Sequence, residues 1–288
     1  MDADAGAPPV PAPPVPHGRT GRNLPVAIGV GAALGGVALL TLLTVRATFL
    51  LYMGAALAVA LHELDHALRA REIRAPVIPV AAGGVAMLAC AYWAGSRATL
   101  AAFMLTVLAV LAWRLVTAGA RGTAGYVRDV TAGVFTAAYL PLLGSSVAAM
   151  LAPADGGRRV LVFIILTICS DIGGYFAGIT LGRHKMAPLI SPKKTWEGLA
   201  GSAAACLLAG GLTLPLLLHG HVWQGLITGA AVVVAATFGD LAESLIKRDL
   251  DIKDMGTILP GHGGILDRID SLLIAAPVVW LLLAAFLR

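Results

Sequence analysis

The chain has 288 residues, of which 58% are hydrophobic and only 13% are charged. Its mean hydropathy of +0.84 lies well outside the range of soluble globular domains. The composition therefore excludes a water-soluble protein and predicts an integral membrane protein. The formal net charge of +5 is explained by membrane topology, because the basic residues follow the loops, and no nucleic-acid partner is expected.

Residues 1–22 precede the first apolar stretch. They contain six prolines within the first sixteen positions and no periodic apolar pattern. Such a segment cannot bury enough apolar surface to fold. We predict a disordered, Pro-rich cytoplasmic tail.

Nine apolar stretches follow, each close to the roughly 20 residues that a helix needs to cross a bilayer. They predict an all-α, polytopic membrane protein rather than a barrel, whose strands would alternate in polarity. The predicted spans are 24–45, 47–66, 75–95, 98–118, 127–151, 159–182, 199–219, 222–246 and 265–287. We group them into N-terminal transmembrane helices, 23–151, and a C-terminal catalytic transmembrane domain, 152–288.

The loop charges set the orientation, because Lys and Arg accumulate on the cytoplasmic side. With the N-terminus in the cytoplasm, sixteen of the twenty-one Lys and Arg residues fall in cytoplasmic segments. We therefore expect a multi-pass protein of the cell (inner) membrane whose C-terminus is extracytoplasmic. The charged loops of the second half, and any active site they form, then face the cytoplasm.

The second span ends in His62-Glu63-Leu64-Asp65-His66, which matches the H-E-x-x-H pattern of zinc proteases. Histidines at i and i+4 share a helix face and can hold zinc, with the glutamate as base. An intramembrane zinc protease is therefore an alternative. It would need a third ligand from a later Asn-Pro or Asp-Gly segment, but the only asparagine is Asn23 and Asp155-Gly156 falls in a predicted outer loop.

The intramembrane acids concentrate in the second half of the chain. Five of them fall in or at the edge of predicted spans: Asp171, Asp240, Glu243, Asp267 and Asp270. A charged side chain at membrane depth costs about 2.5–3.5 kcal/mol on insertion scales, so these acids indicate a functional site.

The sixth span and the loop after it form the first part of this site. Asp171, Tyr175 and Gly178 repeat at i, i+4 and i+7 and so share one helix face. The loop adds cations and hydroxyl groups ahead of the next helix, an arrangement suited to phosphate oxygens. The loop residues are Arg183, His184, Lys185, Ser191, Lys193, Lys194, Thr195 and Glu197.

The eighth and ninth spans form the second part. Asp240 lies about 10 Å from Lys247 along the helix, too deep for a solvated acid, while Asp267 and Asp270 begin the ninth span. Mg²⁺ commonly binds one or two carboxylates together with substrate phosphates. Carboxylates from two spans beside basic loops therefore favour a magnesium-dependent phosphoryl or nucleotidyl transfer.

The 27 residues from Ser244 to Asp270 resemble the signature of phosphatidate cytidylyltransferases, also called CDP-diacylglycerol synthases. The matching positions include Lys247, Arg248, Lys253, Asp254, Gly256, Pro260, His262, Gly263, Gly264, Asp267, Arg268 and Asp270. The upstream runs SDIGGYFAG, SPKKTWEG and FGDLAESLIKRD are similar to other segments of that family, in the same order.

The resemblance implies an enzyme that transfers a cytidylyl group from CTP to phosphatidic acid, giving CDP-diacylglycerol and pyrophosphate in the bilayer. It implies Mg²⁺ on Asp240 and Asp267, with a second cation left open, and a homodimer. The catalytic residues would be Asp240, Asp267, Lys194 and Arg268. The implied substrate-binding residues are Asp171, Tyr175, Ser191, Lys193, Lys194, Thr195, Glu197, Lys247, Arg248, Asp249, Lys253, Asp254, His262, Gly263, Gly264 and Asp270.

Two further alternatives stay open at this point. A related CTP-dependent lipid or prenol kinase would use the same nucleotide and differ in the acceptor. An ion-coupled transporter would also explain intramembrane acids, since these mark ion pathways.

Overall fold

The computed structural model describes residues 24–118, 122–256, 258 and 263–287, without the side chains of 24–28 and 30. The predicted tail, 1–22, and His262 lie outside these residues. The helices are α1 (Leu24–Thr44), α2 (Arg46–Ala70), α3 (Val77–Trp93), α4 (Ser96–Val116), α5 (Tyr126–Ala137), α6 (Leu143–Leu151), α7 (Gly156–Thr180), α8 (Trp196–Leu218), α9 (Val222–Asp249) and α10 (Leu266–Phe286). A π-helical segment, Ala138–Leu142, joins α5 to α6.

The helices confirm the prediction of an all-α, polytopic membrane protein. Among the described residues, seven helices are long and apolar enough to cross a membrane, counting Tyr126–Leu151 as one. Two shorter apolar helices, Gly31–Thr44 and Val77–Trp93, fall on the first and third predicted spans. The count of nine spans and the cytoplasmic N-terminus stay predictions.

A small β-hairpin interrupts the helical pattern between α7 and α8, where the sequence predicts only a loop. Strands β1 (Lys185–Ala187) and β2 (Ser191–Thr195) are antiparallel. The second strand leads directly into α8, which begins at Trp196. The hairpin therefore fixes the direction in which the SPKKT residues approach the helices.

Helices α7 to α10 form the scaffold of the second half, each packing extensively against the next. Glycines allow the closest approach: a Cβ added to Gly173 of α7 would lie 2.5 Å from the carbonyl oxygen of Gly201 in α8. On the other face of α8, Gly210 similarly faces the backbone of Gly225 in α9. Small residues let membrane helices approach at backbone distance, so α8 packs closely against both α7 and α9.

The buried apolar residues form two clusters, and each contains residues from both halves of the chain. One joins Leu64 and Leu140 to Leu266 at the start of α10. The other joins Phe49 of α2 to helices α7 to α10. The boundary at residue 151 stays a prediction, but α2 clearly packs against the C-terminal helices.

A buried ion pair lies in the first half. Arg114 and Asp129 are each about 2% exposed, and the Arg114 Nε lies 3.1 Å from the Asp129 carboxylate. Asp129 also accepts the backbone N–H of Arg74 at 3.0 Å. A buried charge is tolerated when it is paired and hydrogen-bonded. The pair thereby connects α4, α5 and the segment between α2 and α3.

Candidate active site

A polar cavity of about 360 Å³ lies among α7, β2, α8 and α9. Asp171 and Tyr175 line it from α7, and Asp240 lines it from α9. Strand β2 of the hairpin supplies Ser191, Lys193, Lys194 and Thr195. The structure thus brings Asp171, Lys194 and Asp240 around one cavity, whereas Asp267 and Asp270 do not line it.

Lys194 and Asp240 form an ion pair at this cavity, between β2 and α9. Their side chains are 24% and 30% exposed. Asp171 is close enough to interact electrostatically with both of them. The cavity wall therefore carries the Lys194–Asp240 ion pair, which is partly exposed, together with the Asp171 carboxylate and the Lys193 ammonium group.

The hairpin is held by local contacts with the start of α8. Glu197 accepts the backbone N–H groups of Arg183 and His184 at 3.2 Å and contacts the His184 Nδ1 at 2.6 Å. The Thr195 hydroxyl caps α8 by accepting the Gly198 N–H at 3.1 Å. Glu197 and Thr195 thus have contacts within the protein that position Lys193 and Lys194.

A second charged group lies where α9 meets α10. The Lys247 ammonium contacts the Glu243 carboxylate and lies 2.9 Å from Oδ1 of Asp267. Oδ2 of Asp267 accepts the backbone N–H groups of Met255 and Gly264 at 2.9 and 2.8 Å. The side chain of Asp267 is only 5% exposed, and three N–H donors surround its carboxylate.

The acids outnumber the basic groups in this region. Asp270 interacts electrostatically with Asp240 and Glu243, which adds a further acid between the two pairs. Oε1 of Glu243 is buried without a hydrogen-bond partner in the described part of the chain. The five acids Asp171, Asp240, Glu243, Asp267 and Asp270 thus lie in the same region as Lys193, Lys194, Lys247 and Arg268.

An apolar cavity of about 300 Å³ adjoins the polar one. Asp171 lines both cavities, and Arg268 lies at the apolar one and interacts with Asp171. The apolar walls come from α1, α2, α6, α7 and α10, and include Leu34, Phe49, Ala56, Phe163, Ile168 and Leu272. Nothing in the sequence pattern predicted this cavity, because its walls come from helices far apart in the chain.

The remaining predicted residues lie at the end of α9 and on the loop after it. Arg248, Asp249 and Lys253 are exposed, while Asp254 is half-buried. Gly263 has a φ of 86°, a left-handed conformation that favours glycine. These residues are close to the charged cluster but do not line either cavity.

The HELDH run does not form a metal site in the structure. His62 and His66 are exposed, whereas Glu63 is 3% exposed. No group of three or more His, Cys, Asp or Glu residues able to hold a metal ion occurs within the described ranges. The geometry gives the zinc-protease alternative no support.

The fold and the site together define a polytopic membrane protein whose charged cavity opens beside an apolar one.

The sequence model of the cytidylyltransferase family matches residues 26–286 of this chain. The phosphatidate cytidylyltransferase of Mycobacterium leprae (strain TN) is 39% identical over 277 residues, covering 92% of this chain and 89% of the relative. That of Mycobacterium tuberculosis (strain H37Rv) is 39% identical over 274 residues, covering 92% and 84%.

A relative from another genus, the phosphatidate cytidylyltransferase of Brucella suis biovar 1, is 39% identical over 156 residues, or 54% of this chain. The chain belongs to the cytidylyltransferase family. The resemblance seen in the Ser244–Asp270 run is confirmed.

Proposed function

We propose that the protein transfers a cytidylyl group from CTP to phosphatidic acid, giving CDP-diacylglycerol and pyrophosphate. The observation that carries the proposal is the junction of a polar and an apolar cavity at Asp171. A nucleotide needs a polar environment, and acyl chains need an apolar one. The reaction has to bring the phosphate of the lipid next to the phosphates of the nucleotide.

CTP binds in the polar cavity. Lys193 and Lys194 supply positive charge for the triphosphate, and the Ser191 and Thr195 hydroxyls supply further polar contacts. The lipid phosphate oxygen attacks the α-phosphorus of CTP, the bond from that phosphorus to the bridging oxygen breaks, and pyrophosphate leaves. No general base is required, because the phosphate monoester is already an anion.

Phosphatidic acid binds with part of its acyl region in the apolar cavity. Arg268 lies at that cavity and is suited to the lipid phosphate. Its electrostatic interaction with Asp171 places it next to the polar cavity. A phosphate held there is directed toward the nucleotide.

The carboxylates of Asp240 and Asp267 are hard oxygen donors, of the kind that Mg²⁺ binds together with substrate phosphates. Asp240 and Asp267 would hold Mg²⁺, in exchange for their present lysine contacts. The ion would neutralise charge on the phosphates during transfer. A second cation stays an open part of this proposal.

Location and assembly belong to the same proposal. The loop charges support a site that faces the cytoplasm, in the cell (inner) membrane. CTP is then drawn from the aqueous side and phosphatidic acid from the bilayer. The homodimer rests on the family resemblance.

Filling the apolar cavity is expected to weaken lipid binding selectively. The Ala56→Phe variant should raise the KM for long-chain phosphatidic acid about tenfold. The Phe ring would occupy the space of one or two methylene groups of the acyl chain, and each buried methylene group contributes about 0.8 kcal/mol to binding. The KM for CTP should stay unchanged. Ala101→Phe, on an exposed face of α4, is the matched control, and equal effects of both variants would argue against this cavity as the lipid site.

The proposed function is tested by the position of the label that CTP transfers. Purified protein is incubated with Mg²⁺, a panel of lipid acceptors and CTP labelled at either the α- or the γ-phosphorus. Cytidylyl transfer moves the α-label into phosphatidic acid, whereas a CTP-dependent kinase moves the γ-label into a lipid alcohol. Transfer of neither label, with cation-dependent uptake in vesicles, would favour the transporter.

A further inference from the structure

The HELDH run is the sequence motif that the proposed reaction leaves unused. Its two histidines are exposed on α2, whereas Glu63 is buried. Adjacent helical positions do not share a face, so Glu63 is directed away from His62. Its burial beside the C-terminal helices requires another explanation.

The Glu63 carboxylate caps the last helix. Its Oε1 accepts the backbone N–H of Ile265 at 3.0 Å, and its Oε2 accepts that of Leu266 at 2.9 Å. The first N–H groups of a helix have no partner within the helix, and the side chain of Ile265, at the N-cap of α10, makes no capping bond. Glu63 therefore supplies the cap from 202 positions earlier in the chain.

Two glycines of the signature make room for this carboxylate. A Cβ added to Gly256 or to Gly264 would overlap the Glu63 side chain. Both glycines belong to the run that resembles the family signature. Their lack of a side chain is thus explained by a contact with α2, because both glycines lie against Glu63.

Arg71, directly after the end of α2, holds the other end of the same segment. Arg71 Nε donates to the Leu250 carbonyl at 2.9 Å, and its guanidinium lies 3.2 Å from the Asp251 carboxylate. Helix α2 is therefore joined to the chain just after α9 and again at the start of α10.

We propose that Glu63 is a positioning residue for cytidylyl transfer. Asp267 and Arg268 directly follow the capped residues, and the Gly264 N–H donates to Asp267. A change in the position of Ile265 and Leu266 therefore moves both charged groups. This inference rests on the function proposed above, but its structural part can be tested separately.

Glu63→Gln is the most informative variant, because it keeps the size of the side chain while directing an NH₂ group at a backbone N–H. It should lower kcat at least about tenfold, because the loss of a contact that supports a metal ligand commonly has an effect of that size. It should also raise the Mg²⁺ concentration needed for half-maximal activity. The KM for CTP should not change, because the hairpin lysines are untouched. Glu63→Asp, which keeps the charge, should recover part of kcat, and the exposed His62→Ala and His66→Ala variants should match the wild type.

Hydrogen–deuterium exchange supplies a readout that does not depend on activity. In detergent-solubilised Glu63→Gln, exchange should rise in peptides covering 250–272 and stay unchanged in α7 and α8. Wild-type kcat and wild-type exchange in that variant would overturn the proposal. The proposal would also be overturned if Glu63→Asp and Glu63→Gln lowered kcat equally and only in proportion to the fraction of unfolded protein. If the wild type transfers no cytidylyl group, the proposed function fails while the exchange result still decides whether Glu63 holds the segment.

Discussion

Asp267→Asn is expected to reduce cytidylyl transfer at least about a hundredfold. Three N–H donors, from Lys247, Met255 and Gly264, converge on this carboxylate. An amide has one acceptor oxygen and would direct its NH₂ group at donors. A hydrogen bond to a charged group contributes about 1.5–3 kcal/mol, and each 1.4 kcal/mol in the barrier is a factor of about ten in rate.

The measurement is the rate of CDP-diacylglycerol formation at several Mg²⁺ concentrations. Asp155→Asn is the matched control, because Asp155 stands at the start of α7 and is paired with Arg159 at 2.9 Å. It repeats the chemical change at another helix start outside the site. Comparable activity of the two variants would exclude Asp267 from the reaction.

Asp240→Asn is expected to have an effect of similar size for a different reason. Asp240 faces the polar cavity and is the ion-pair partner of Lys194. Its loss would leave Lys194 with Asp171 as the nearest acid of the cavity and would remove a proposed metal ligand. We expect kcat to fall at least about a hundredfold, since breaking a partly buried charge pair leaves one charge uncompensated.

The double variant Asp240→Asn/Lys194→Gln shows whether the two residues act as a unit. Groups that act together are not additive, so the double variant should be about as active as the weaker single variant. Asp251→Asn, at a side chain that is 89% exposed, should keep wild-type activity because exposed ion pairs contribute little. Fully multiplicative effects of Asp240 and Lys194 would show that they act independently.

Much of the helical fold could be predicted from the sequence, because long apolar stretches in a membrane protein can satisfy their backbone only as helices. The hairpin Lys185–Thr195 could not. Its strands are short, and its geometry depends on the contact of Glu197 with the backbone at 183 and 184, which has no periodic signal.

The candidate site shows the same division. Asp171 and Asp240 were predicted because they are acids within apolar spans, and Lys194 because it is a cation in the loop ahead of a helix; the structure brings the three around one cavity. Lys247 was predicted to contact phosphate, and the structure shows its ammonium group between Glu243 and Asp267. The role of Glu63 could not be predicted, since its contact joins residues more than 200 positions apart.

That contact has a consequence for the time at which the protein becomes active during its synthesis. Helix α2 is synthesised early, and its Glu63 carboxylate can reach its two amide partners only after about 200 further residues have been added. A nascent chain that ends between residues 195 and 265 therefore has the hairpin lysines but lacks the capped helix α10. The reaction centre can assemble only after the segment that carries Asp267 and Arg268 has been made.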